Sequence, residues 1–361
     1  MRIVVNDIAA SEGGALSILR DFYDEIVSSD DNNDWIFLLG DDYLEPRNNI
    51  EIITLPSIKK SWKKRLEFDF FNGKKIINKF EPDLYISLQN TATLGLKCQQ
   101  VVYLHQPLPY QKEKKYSIFK RKERKYAVYQ FLIGNIFNIL LKKSGARIIV
   151  QSQWMKKNVS KKVSNSIDVI PPKINKYIEE RYFFSEESYK EQKEKQFFYP
   201  ASMIPYKNHE LIFKAVNELL GENINNFSVY LTIDKKMCEH YLEYIPSNIK
   251  FLGNIDRKRV FDMYTNSVLL FPSYIETFGL PLLEAKLVNS PIISSKTEFS
   301  KEILFDYDNV YYFEKNDYLK LKKIMESFIK NDFEVSEKKL EENIQEVTLY
   351  NYLIGEEFNN D

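Results

Sequence analysis

The stretch SVLLFPSYIETFGLPLLEAKLV, residues 267–288, holds one structural junction and two carboxylates. Its opening, SVLLFPS, is a short apolar run bounded by turn residues, the pattern of a strand buried on both faces. Pro281 suits the first turn of a helix, where its missing N–H is not needed, and PLLEAKLV continues as that helix. The backbone amides of Phe278, Gly279 and Leu280 then fall at the helix N-terminus, where free N–H groups and the dipole favour phosphate. Gly279 lets a ligand approach the backbone closely. Glu284 stands one turn into the helix with its side chain directed back toward that end, and Glu276 lies in the loop before it. Spacing alone leaves two readings open. Either the two carboxylates bracket one polyhydroxylated ligand, or Glu284 complements the helix dipole and Glu276 is a solvated loop residue.

Strand-to-helix junctions of this kind recur along the chain. RIVV, WIFLLG, EIITLP, DLYISL, QVVYLHQP, ARIIVQS and IDVIPP are β-branched or aromatic runs, several of them separated by helical patterns such as GALSILRDFYDEIV and FFNGKKIINKF. The alternation breaks after Pro171-Pro172, at the charged segment KINKYIEERYFFSEESYKEQKEKQ, and restarts with FFYPAS, SVYLTI, IKFLGN, SVLLFPS, PIISS and NVYYF. Apolar strands alternating with helices imply parallel sheets covered on both faces. The expectation is an α/β protein: an N-terminal domain over 1–172, a connection over 173–195 with a helix in it, a second domain over 196–336, and a helical tail over 337–361 packing back toward the first domain. Two such domains facing each other leave a cleft at the carboxyl ends of their strands, where open parallel sheets bind ligands.

Composition narrows the function. The chain has 361 residues, enough for two cores, and its 51 Lys and Arg balance 51 Asp and Glu, so no global field recruits nucleic acid. Cys98 and Cys238 match no metal or redox spacing and suggest a reducing compartment. MRIVVNDIAAS lacks the basic start and apolar run of a signal peptide and reads as a first strand. A cytoplasmic protein is expected. The most apolar window, YAVYQFLIGNIFNILLKKSG at 126–145, is broken by Gln130, Asn135 and Asn138. It falls short of the roughly 20 apolar residues a membrane span needs and reads as a buried or surface-lying helix.

PSYIETFGLPLLEA resembles the signature of the retaining nucleotide-sugar glycosyltransferases of family four, with Glu, seven residues, then Glu. The resemblance implies the GT-B fold of two facing Rossmann-like domains, in agreement with the strand pattern. It implies that Glu276 contacts hydroxyls of the donor sugar and Glu284 the nucleotide ribose. Thr277 and the amides of Phe278, Gly279 and Leu280 would hold sugar and diphosphate. FYPASMIPYKNHELIFKAV opens the second domain, and Lys207 matches the family's phosphate-binding lysine. A lysine there neutralises a diphosphate leaving group as a point charge. Many members carry an arginine five residues earlier, where this chain has Ser202. Either Lys207 works with another cation, or the leaving group is stabilised differently.

Three further segments match by position. Gly13-Gly14, after the first strand, stands where the family has a glycine-rich loop against phosphate or sugar. His105, at the end of VVYLH, matches a histidine that faces the donor sugar, although a lone histidine at a strand end is more often structural. Phe251-Leu252-Gly253 resembles the segment whose backbone borders the nucleotide base. Asp306-Tyr307-Asp308 has the form of a metal-binding Asp-x-Asp but reads as a turn in FDYDNVYYF, and three histidines with no clustered ligands imply no metal.

The segment from Lys112 to Tyr126 carries eight Lys and Arg against two Glu, interleaved with Tyr, Ile and Phe. Such a stretch, over Lys112–Lys125, fits an anionic membrane surface better than nucleic acid; a solvated helix face is the plain alternative. The reading that joins these features is a retaining glycosyltransferase of hexosyltransferase type. It would move sugar from a UDP- or GDP-sugar to a glycan or lipid-linked glycan, in bacterial surface polysaccharide synthesis by family habit, in the cytoplasm and at the inner face of the membrane if the basic segment meets lipid. The nucleotide sugar is a substrate, so no cofactor is expected. Two alternatives stay open: a nucleotide-sugar epimerase of the same architecture, and a catalytically silent GT-B subunit acting as a binding partner.

Overall fold

The computed structural model describes residues 1–10, 13–29, 31–173, 182–238, 245–336 and 347–355. The chain divides into two compact units, one of Met1–Pro172 with Glu346–Asp361, the other of Lys173–Gln345. Each is built on a parallel sheet, as the alternation of apolar runs and helical patterns predicts.

The first sheet contains β1 (Arg2–Asp7), β2 (Asp34–Leu39), β3 (Ile50–Thr54), β4 (Leu84–Ser87), β5 (Gln99–Tyr103), β6 (Arg147–Val150) and β7 (Ile167–Val169) in the order β3-β2-β1-β4-β5-β6-β7. Residues alternate between its two faces. Ile3 and Val5 of β1 join Leu84 and Ile86 of β4 against the helix Gly13–Ser28, while Val4 packs with Tyr85 and Phe68 on the other side. The helix Leu349–Ile354 returns to the first of these cores, burying Tyr352 and Leu353 and setting Tyr350 against Trp35. The segment 337–346 of the expected tail lies outside the described residues.

The second sheet contains β8 (Lys195–Tyr199), β9 (Phe227–Leu231), β10 (Ile249–Phe251), β11 (Val268–Phe271), β12 (Ile292–Ser295) and β13 (Val310–Phe313), in the order β10-β9-β8-β11-β12-β13. In both sheets every strand pair is parallel, and in both the strand order reverses beside the first strand of the unit. The two switch points, β1/β4 and β8/β11, are where a doubly wound sheet leaves a crevice for ligand. Residues 174–181 of the charged connection lie outside the described residues. The helix Glu186–Glu191 that follows is capped by Ser185, buries Tyr189, and belongs to the second unit. Buried Lys195 donates to the carbonyls of Tyr189, Lys190 and Gln192, closing that helix's C-terminal end.

A buried polar chain stiffens the β1/β4 switch point. Asp69 accepts from the Thr93 hydroxyl at 3.2 Å, Thr93 meets Tyr85 at 3.0 Å, and Asn6 donates to Tyr85 at 2.6 Å while accepting from the Ile8 amide. Asp69 sits in a π-turn, Phe68–Asn72, and is 1% exposed. Burial lifts its carboxyl to about 7 against the opposing pull of Thr91, Thr93 and Arg65, and lifts Asp7, at the end of β1, to about 7 as well. The unfolded chain ionises these groups from about pH 4, whereas the folded chain keeps their protons until near 7. The contribution of these two groups to stability therefore falls as pH rises through that window and is flat above it, by up to about 4 kcal/mol per group. Asp69→Asn is expected to remove close to half of this fall, read from urea midpoints at pH 5 to 8. A slope equal to that of the unaltered protein would contradict the assignment.

Candidate functional site

The β8/β11 switch point carries Ser202 and Lys207 on the segment after β8 and Glu276 to Glu284 on the segment after β11, whereas Phe251–Gly253 follow β10 at the edge of the sheet. After β8 the chain makes a short 3-10 turn, Pro205–Lys207, and Asn208 takes a left-handed conformation, φ 60°, before the helix His209–Gly221. After β11 it runs through Ser273–Thr277 to Gly279. The two loops are stitched together: the Tyr274 amide donates to the Tyr206 carbonyl at 3.1 Å, the Ser273 hydroxyl donates to the same carbonyl at 3.3 Å, and the Tyr199 hydroxyl donates to the Lys207 carbonyl at 2.7 Å. Across the seam Lys207 Nζ is paired with Glu276 Oε1, both side chains mostly shielded from water. Glu276 is thus no solvated loop residue.

Glu284 is more deeply placed. The helix Leu280–Leu287 starts after Gly279, with Pro281 in its first turn, and Glu284 is 1% exposed. Its Oε1 takes a hydrogen bond from Arg257 Nη2 and its Oε2 one from the Tyr264 hydroxyl at 2.9 Å. Burial raises its pKa above the ordinary glutamate range, opposed by the Arg257 guanidinium and the Tyr264 hydroxyl. Arg257 and Tyr264 share the helix Arg257–Asn266, which Asp256 caps. Phe251, Leu252 and Gly253 lead into it, with Gly253 at φ 62° and the Leu252 amide bonded to the Leu231 carbonyl at 2.8 Å. Ser202 is exposed, while Thr277, Phe278 and Leu280 are half-buried around Gly279.

His209, beside this seam, is 2% exposed and lies 4.9 Å from the Tyr199 ring, with no regular hydrogen bond at either ring nitrogen. Burial first, and Lys207 second, push its imidazole down to about 4, with the Ala201 backbone opposing. It is a neutral, structural histidine at neutral pH.

In the first unit, His105 follows β5. Its amide donates to Asn90 Oδ1 at 2.7 Å and its Nε2 lies 2.9 Å from the Leu88 carbonyl. Nε2 also lies 3.2 Å from Asn90 Nδ2; the shorter contact, to a carbonyl that only accepts, favours the proton on Nε2. Burial pushes the imidazole pKa below its usual value, keeping the ring neutral. The nearby end of β1 presents Asp7, 1% exposed, with Oδ2 unpartnered. Gly13 and Gly14 open the helix Gly13–Ser28 rather than preceding it as a loop. Gly14 is not left-handed, and a side chain there would meet nothing within 4 Å. Asp306-Tyr307-Asp308 forms a turn, Asp306 at φ 60° and Tyr307 donating to the Ser290 carbonyl at 2.6 Å. No cluster of metal-ligating side chains occurs among the described residues.

Sequence reasoning missed Arg257, Tyr264 and Asp7. For Arg257 a signal existed: DRKRV puts three cations at a helix start, where the dipole disfavours them. For Asp7 the signal was weaker, a carboxylate closing an otherwise apolar strand.

The family model for glycosyl transferases group 1 matches residues 180–347, the span that holds both glutamates, Lys207 and Arg257. No curated protein matches the chain. Among solved structures, sucrose-phosphate synthase from Thermosynechococcus elongatus aligns with a TM-score of 0.66 at 15% identity, covering 91% of this chain and 90% of that one. WaaG, a glycosyltransferase involved in lipopolysaccharide biosynthesis, aligns with a TM-score of 0.66 at 14% identity over 91% and 90%. Alr3699/HepE from Anabaena, solved with UDP-glucose, aligns with a TM-score of 0.61 at 14% identity over 92% and 90%. At these identities the likeness is one of fold. The chain has the GT-B fold, with two Rossmann-like domains of seven and six parallel strands.

Gly279 offers a direct check on the helix start that orients Glu284. Its φ of 105° is open to glycine alone at low cost, whereas an added Cβ would meet Ile303 and Leu282 no closer than 3.4 Å. Gly279→Ala is therefore expected to lose about 1–3 kcal/mol through backbone strain, with space playing little part. A urea midpoint equal to that of the unaltered protein would contradict this geometry.

Proposed function

We propose that this chain is a retaining glycosyltransferase of hexosyltransferase type, taking a sugar from a nucleoside diphosphate donor to a hydroxyl of a glycan or lipid-linked glycan. The observation that carries the reading is the pair of carboxylate–cation units, Lys207–Glu276 and Arg257–Glu284, around the β8/β11 switch point, with both carboxylates shielded and the Arg257 side chain partly open to solvent. A sugar nucleotide offers hydroxyls to carboxylates and a diphosphate to cations and helix amides, so one ligand matches both halves of the arrangement.

In this reading Glu276 accepts from the donor sugar, Glu284 from the ribose, and Phe251–Gly253 border the base. Thr277 and the amides of Phe278, Gly279 and Leu280 meet sugar and diphosphate, near Ser202. Lys207 stabilises the leaving group. The C1–O bond to the diphosphate breaks as the acceptor oxygen bonds C1 on the same face. The acceptor proton passes to the departing phosphate, which leaves as nucleoside diphosphate. Positioning and charge stabilisation supply the rate. His105, neutral, faces the sugar without acting as general base, and the acceptor enters along the first domain, near His105, Gln106 and the residues after Gly14. The nucleotide sugar is a substrate, and these residues call for no cofactor. The chemistry is placed in the cytoplasm, in bacterial surface polysaccharide synthesis.

The complexes of HepE with UDP and UDP-glucose make a uridine donor the first to try. Calorimetric titration with UDP and GDP is expected to show binding of one, weakened at least about tenfold, or about 1.4 kcal/mol, in Glu284→Gln and Glu284→Ala. If neither nucleotide binds, the donor site is wrong. If one binds but no acceptor supports turnover, the chain is the silent subunit that Ser202, in place of an arginine, would suit.

A further inference from the structure

Six of the thirteen large apolar side chains exposed among the described residues fall within one short segment: Ile118, Phe119, Val128, Phe131, Leu132 and Ile139. Scattered singly, exposed apolar residues need no explanation; gathered on one surface they mark a contact. Here they are gathered by one helix. Arg124–Ala127, the π-turn Val128–Ile133 and Gly134–Ser144 run on without a break. Its inner side buries Ala127, Ile133, Phe137, Leu140 and Leu141, and Gly134 is pressed so closely on Pro109 that an added Cβ would lie 2.5 Å from it. Its outer side reads Val128, then Phe131 with Leu132, then Ile139. Phe119, at 87% the most exposed large apolar side chain, stands on the preceding loop. That loop is fixed to the helix by Arg124 Nε donating to the Ile118 carbonyl at 3.1 Å and by Glu123 accepting from the Ser117 amide at 2.9 Å.

The charges around this stripe are mostly positive, with half-buried Glu113 and Glu123 the two exceptions within 112–126. Lys112, Lys115, Lys120, Arg121, Lys122 and the helix's own Arg124 and Lys125 are exposed. Lys142 and Lys143 repeat the sign at the far end. Glu123 is engaged within the loop by Lys114 and the Ser117 amide, so it offsets little of this field. A second copy meeting this face through a two-fold axis would oppose like charges across the contact. Nucleic acid would answer the charge and leave the aliphatic stripe in water. An anionic bilayer answers both, with apolar side chains at the acyl boundary and cations among the headgroups. No helix among the described residues is long and apolar enough to cross a membrane, so the contact lies in the plane of the surface.

We infer that the outer face of the helix Arg124–Ser144, with the loop carrying Ile118 and Phe119, is a docking surface for an anionic lipid bilayer, Phe119, Phe131 and Leu132 entering it and the basic rim holding the headgroups. This surface is built from residues of the first unit alone and is tested without turnover. The full chain is mixed with phosphatidylcholine vesicles with and without phosphatidylglycerol and sedimented. Binding is expected only with phosphatidylglycerol. The Phe119→Ser/Phe131→Ser/Leu132→Ser variant should lose at least about fivefold of it, and Lys120→Glu/Arg121→Glu/Lys122→Glu should lose it altogether. The serine variant should unfold at the same temperature and keep its UDP affinity, since these side chains stand outside both cores. Absence of vesicle binding by the unaltered chain, or equal binding by the serine variant, would overturn the proposal. So would a concentration-dependent dimer, seen by ultracentrifugation, that the serine substitutions abolish.

Discussion

Glu284 is a carboxylate sealed from water, and one edge of the second domain is arranged around keeping it there. Leaving such a group unpaired costs several kcal/mol, because no solvent remains to stabilise its charge. Arg257 meets one oxygen and Tyr264 the other, both from the helix Arg257–Asn266. That requirement fixes the position of one helix against the start of the next. It also bears on the turn at Gly279, whose left-handed backbone starts the helix that carries Glu284. One buried charge therefore sets the geometry of a whole loop.

Lys207 and Glu276 extend the same logic to the seam between the loops after β8 and β11. Both are shielded, and the backbone around them is held by Tyr206, Ser273 and Tyr199. Groups held in this way need little reorganisation when a ligand arrives, which is where electrostatic stabilisation of a leaving group is most effective. The first domain has a parallel device at its own switch point, where the chain from Asp69 through Thr93 and Tyr85 to Asn6 braces the ends of β1 and β4 beside Asp7 and Asn90.

The fold was legible because parallel strands buried on both faces read as uninterrupted apolar runs. RIVV, DLYISL, FFYPAS and SVLLFPS each became a strand at or beside a switch point. The loops were legible only as far as local chemistry reached. Pro281 and Gly279 announced a helix start, and Lys207 a turn after a strand. The partners of those residues could not be read, because Arg257 and Tyr264 lie far from Glu284 in sequence and meet it only through the packing of two helices. Asp69 was hidden for the same reason, a carboxylate just before the helical pattern FFNGKKI whose π-turn and burial arise from tertiary contact. The window 126–145 was ambiguous between a buried and a surface helix because its apolar residues point both ways. In the structure one side packs and the other stays exposed.

The central claim is that the Lys207–Glu276 unit is built to receive a diphosphate. It is tested most directly by the affinity of UDP and of UMP for Lys207→Met, with GDP and GMP run in parallel. The account predicts that the diphosphate loses at least about tenfold and the monophosphate no more than about threefold, because the lysine charge acts on the outer phosphate. Equal losses for both nucleotides, or no loss for either, would contradict it.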